Sequence, residues 1–143
     1  MNSWKGIKIL FIGDSHTARK IYPEKIGERL EAEVYYHCKG GIQYTHMIEG
    51  SPADAVGYVP PLSPEIVADK DLIVLFGGGN CVSMPFGKPG DRYNADGSGE
   101  KTVAGTLQYA IDSIYDNLEK ALADRNDSNT FTQLCDAEII HSN

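Results

Sequence analysis

Gly13-Asp14-Ser15 interrupts an apolar run and precedes a segment with helical spacing. Gly13 permits a tight exit from a strand, so Ser15 falls where a strand ends and a helix begins. In open α/β sheets, ligand sites form outside the carboxyl ends of the strands. A helix N-terminus there offers unpaired N–H groups to developing negative charge. A serine in that position suits nucleophilic attack, although Asp14 and Ser15 are equally the residue types that cap a helix. Two further strand ends carry the donors that acyl transfer needs. The backbone N–H of Ser15, that of Gly41 and the side-chain amide of Asn80 would together hold a tetrahedral oxyanion.

Positions of this kind must be held by strands that end side by side. The run over 7–12 reads as a buried strand, and Ala18, Ile21, Tyr22, Ile26 and Leu30 follow at helical spacing, with either a helix that begins after Pro23 or two short helices that meet there. A second strand over 33–38 ends at Lys39-Gly40-Gly41. Residues 49–64 are rich in Gly and Pro and read as a surface loop. The strand over 71–76 is apolar without alternation, which predicts a place at the sheet centre, and it stops at Gly77-Gly78-Gly79-Asn80. A long polar excursion over 81–101 predicts a lid or specificity loop, and a long amphipathic helix follows over about 102–124. The tail, 125–143, offers only a weak strand candidate over 130–134 and Asp136 to His141, so the sheet reads as incomplete at its C-terminal end. The pattern predicts one domain over 1–143 with a doubly wound, parallel α/β sheet.

Composition narrows the function. A chain of 143 residues with 41% hydrophobic content supports one core. A formal charge of -7 without a basic stripe argues against nucleic acid as a partner. Cys38, Cys81 and Cys135 lie far apart with no C-x-x-C spacing, which points to neither a zinc site nor a disulfide framework, and reduced thiols are expected. No window approaches the roughly 20 apolar residues of a membrane span. The N-terminal apolar run, about six residues, is shorter than the h-region of a signal peptide, so the expected location is cytoplasmic. The glycines at 77–79 lack the context of a dinucleotide or P-loop motif. Tyr109 and Tyr115 sit at helical spacing and read as core.

Taken together, Gly13-Asp14-Ser15, Gly41 and Gly78-Gly79-Asn80 resemble the first three sequence blocks of the SGNH hydrolases, also called the GDSL esterase and lipase family. The resemblance covers residues 7–124. It implies a flavodoxin-like three-layer α/β/α fold and a serine esterase that needs no metal or organic cofactor. A small-molecule or carbohydrate ester is the implied substrate, for example an O-acetyl group on a sugar. Ser15 would be the nucleophile, and Ser15, Gly41 and Asn80 the oxyanion hole, with Gly40 the alternative to Gly41. Two departures stand out. Cys81 follows Asn80 where the family usually has Asp, which predicts looser orientation of the amide. The family's closing Asp-x-x-His is missing. Glu138-Ile-Ile-His141 keeps the spacing, with His141 as base and Glu138, or alternatively Asp136, as its carboxylate. His141 stands two residues from the end of the sequence, and residues so placed are often frayed. The competing reading is therefore a truncated, inactive domain of this type that serves as a binding module or has no function. His16 reads as a surface or substrate contact, and His37 and His46 as ordinary strand and loop residues.

Overall fold

The computed structural model describes residues 3–51, 57–125 and 138–142. Strand β1 (Lys8–Gly13) leads into α1 (Ser15–Ala18) and α2 (Ile21–Leu30), and β2 (Glu33–Cys38) into α3 (Tyr44–Glu49) and α4 (Pro64–Val67). Then come β3 (Leu72–Phe76), α5 (Val103–Arg125) and β4 (Glu138–Ser142). The sheet has the order β2-β1-β3-β4, parallel throughout. Gly13 pairs with Cys38 on one side and Phe76 on the other, so the loops bearing Ser15, Gly41 and Asn80 leave the sheet at the same edge.

Successive strand residues face opposite sides, and here both sides are apolar because both are covered. Ile9, Phe11 and Leu72 pack with Tyr22, Ile26 and Leu30 of α2. Leu10, Ile12, Ile73 and Leu75 pack on the other side with Tyr44 and Met47 of α3 and Ile114 and Leu118 of α5. Each fully buried aliphatic side chain among them, such as Ile9, Ile12 or Leu75, stabilises the fold by about 1.5–3 kcal/mol. The result is a three-layer α/β/α arrangement in flavodoxin-like order.

Several local expectations are corrected. The break after α1 falls at Lys20, which has φ +63°, and Pro23 sits inside the first turn of α2, where its missing N–H has no intrahelical partner to lose. Short helices α3 and α4 flank the expected loop, and Val59 and Leu62 within it are buried. Tyr109 packs against the core, whereas Tyr115 is 52% exposed. The sheet gains a fourth strand at 138–142, which pairs with β3 from Leu72↔Glu138 to Phe76↔Ser142. The strand candidate over 130–134, Cys135 and Asp136 lie outside the described residues.

Candidate active site

Strand β1 must end in glycine because α1 folds back across it. A Cβ at residue 13 would run into the Thr17 side chain and stand 2.9 Å from the Phe76 carbonyl oxygen. Asp14, which is buried, takes the capping role: its Oδ1 accepts the His16 N–H at 3.0 Å. Among the described residues, no partner holds the hydroxyl of Ser15, which is partly exposed at the first position of α1. His16 is exposed, its ring 5.8 Å from that of Phe76 in an edge-to-face contact.

The loop after β2 approaches this serine. A Cβ built on Gly40 would stand 3.7 Å from Ser15 Cβ, while Gly41 has φ +80°, a conformation glycine adopts without steric cost. The adjacent glycines thus divide the work. Gly40 lies against the serine, and Gly41 turns the chain into Ile42.

The loop after β3 closes on the other two. Gly77 lies against the ring of Tyr44, with room for no side chain, and Gly79 would place a Cβ 3.7 Å from Asp14 Oδ2. Asn80 Nδ2 donates to the Ile42 carbonyl at 3.0 Å, and Gln43 Nε2 donates to the Asn80 carbonyl at 3.1 Å. These bonds lace the second and third loops together and leave Asn80 a second amide hydrogen. The predicted loosening of Asn80 by Cys81 is therefore compensated by Ile42. Cys81 itself is buried, and burial pushes its thiol pKa up, with the nearby Asp14 charge adding to the effect and a backbone hydrogen bond from Tyr44 opposing it. Buried among the core side chains, it is a packing residue with little thiolate character.

Gln43 was not singled out by the sequence reading. Its signal was local: it stands just before α3, and its backbone N–H is accepted by His46 Nδ1 at 3.2 Å in a reciprocal cap. His46 is thereby a helix residue and not a loop residue. His37 is buried, with Nε2 bonded to the Met47 carbonyl at 2.8 Å; burial holds its pKa below the ordinary value, and that bond opposes the shift.

Beside Asn80 opens a cleft of about 300 Å³, at the small end of ligand pockets. Val82, Met84 and Pro85 give it an apolar wall, and Gln43, Ser83 and Lys101 a polar one. The excursion over 81–101 that supplies most of this lining is pinned. The Val103 N–H donates to Pro85 O at 2.9 Å and the Ala104 N–H to Phe86 O at 3.0 Å. The buried Asp91 accepts from the Lys88 N–H and the Thr102 hydroxyl.

The remaining expected residues come from β4. His141 pairs with Leu75, one position before the carboxyl end of the strand, and Glu138 pairs with Leu72 at the amino end. Three residues of strand span about 10 Å, so the backbone does not bring Glu138 to the edge that carries Ser15. Among the described residues, no group of three or more His, Cys, Asp or Glu is gathered for a metal, and no helix is long and apolar enough to cross a membrane.

No family model matches the chain, and no curated protein matches it. Among solved structures it is similar to an acetyl xylan esterase, Est2A, from the rumen bacterium Butyrivibrio proteoclasticus, at 18% identity and a TM-score of 0.44. The match takes in 96% of this chain and 46% of that one, so the chain spans less than half of the neighbour's length. A likeness of that size leaves the chemistry to be read from the geometry.

Proposed function

We propose that the chain is a serine ester hydrolase of SGNH type acting on a short acyl group, such as an O-acetyl group on a carbohydrate. Ser15 Oγ attacks the ester carbonyl while the imidazole of His141 takes its proton. The tetrahedral oxyanion is held by the backbone N–H groups of Ser15 and Gly41 and by the second amide hydrogen of Asn80. Collapse expels the alcohol, which takes the proton back from His141, and a water that gives its proton to the same imidazole then releases the acyl group from Ser15. The observation that carries this reading is the meeting of three loops at one sheet edge: Gly40 beside Ser15, Gly79 beside Asp14, and Asn80 bonded to the residue after Gly41.

The test is hydrolysis of 4-nitrophenyl acetate by the wild type, Ser15→Ala and Asn80→Ala. Ser15→Ala is expected to abolish turnover, and Asn80→Ala to lower kcat by about 10²–10³, the usual loss of one oxyanion donor. Wild-type rates in Ser15→Ala would overturn the reading. A domain that binds without turnover is the second reading, and the placing of Glu138 at the amino end of β4 favours it. No hydrolysis by any of the three proteins would count against the first reading and for the second.

A further inference from the structure

We propose that Lys101 makes the cleft beside Asn80 select esters whose alcohol part bears a carboxylate; the substrate side of this inference rests on the ester hydrolysis proposed above. Asn80 lines the cleft and Ser15 does not, so a substrate whose carbonyl sits between Ser15 and Asn80 would extend past Asn80 into it. Among the described residues its lining contains one charged side chain, Lys101, on a chain whose formal charge is -7. Among the described residues no acid forms an ion pair with Lys101. Glu100 Oε2 accepts the Arg92 N–H at 2.9 Å, and Asp91 Oδ2 accepts from Lys88 N and Thr102 Oγ1. The first N–H groups of α5 do not compete for an anion, because Pro85 and Phe86 carbonyls already accept them.

The neutral lining fits the same ligand. Gln43 and Ser83 can meet hydroxyl groups, while Val82, Met84 and Pro85 cover a C–H face, as a sugar ring or an aryl ring presents. The wall is preorganised, since the α5 contacts fix residues 85 and 86 and the Gln43 amide is held on Asn80. Lys101 is exposed, so an ion pair there contributes selectivity of a few-fold and is weakened by salt.

Two matched pairs of compounds test this in the full chain. The first compares kcat/KM for 4-acetoxybenzoate with that for its uncharged isostere 4-acetoxybenzamide. The second compares Kd for 4-hydroxybenzoate and 4-hydroxybenzamide, which needs no turnover. The wild type is expected to favour the carboxylate by about three- to five-fold in both, the scale of an exposed ion pair. Lys101→Met should bring each ratio to about one, Lys101→Arg should keep it, and Lys101→Glu should invert it. Equal handling of the two compounds by the wild type, or a ratio unmoved in Lys101→Met, would overturn the proposal. If neither ester is hydrolysed, the esterase reading fails while the Kd ratio still decides whether Lys101 recognises a carboxylate.

Discussion

Asn80 gives one amide hydrogen to the Ile42 carbonyl, and that bond decides where the other points. Gln43 adds a second restraint by donating to the Asn80 carbonyl. Removing it with Gln43→Leu leaves the proposed oxyanion donor in place but less firmly oriented. The expected outcome is a fall in kcat of about five- to ten-fold, the weight of one net hydrogen bond. Steady-state kinetics on an aryl acetate measure it, and a drop equal to that of Asn80→Ala would mean that Gln43 does more than orient. The residues at strand ends were readable from sequence because glycine and a following polar side chain mark where a buried run stops. Gln43 was not, because its role exists only once two loops meet. Glu138 and His141 stand close in the sequence, yet along an extended strand three residues separate by about 10 Å.

At the scale of elements, α5 was legible from periodicity, expected over about 102–124 and found at Val103–Arg125. Its start is set by Thr102, whose hydroxyl accepts the Gly105 N–H at 3.0 Å and donates to Asp91 at 2.8 Å. Thr102→Ala should therefore cost about 1–2 kcal/mol, as loss of an N-cap does, and loosen the cleft wall tied to the same turn. Urea unfolding is the measurement. An unchanged midpoint would show that the cap carries no weight, and Thr102→Ser should retain most of the stability. The short helices α3 and α4 escaped the sequence reading because helices of six and four residues owe their existence to packing rather than to local propensity. Buried Tyr44, Met47 and Val67 supply that packing. Strand β4 escaped because Ile139 and Ile140 form a run too short to signal a strand until β3 stands beside it.

At the scale of the whole molecule, the layering of helices on a parallel sheet followed from apolar runs that end in glycine, and the strand order brings the ends of β1, β2 and β3 to one edge. In the proposed mechanism the reactivity of Ser15 depends on β4 being in place, since the proposed base comes from that strand, on the far side of β3. A side chain activated in this way reacts only in the folded chain. The most direct measurement is reaction with a fluorophosphonate followed by peptide mass spectrometry. The expected result is one adduct, on Ser15, absent from Ser15→Ala and lost when the chain is unfolded in urea. A folded wild-type chain that stays unmodified, or is modified to the same extent as Ser15→Ala, would contradict Ser15 as the nucleophile.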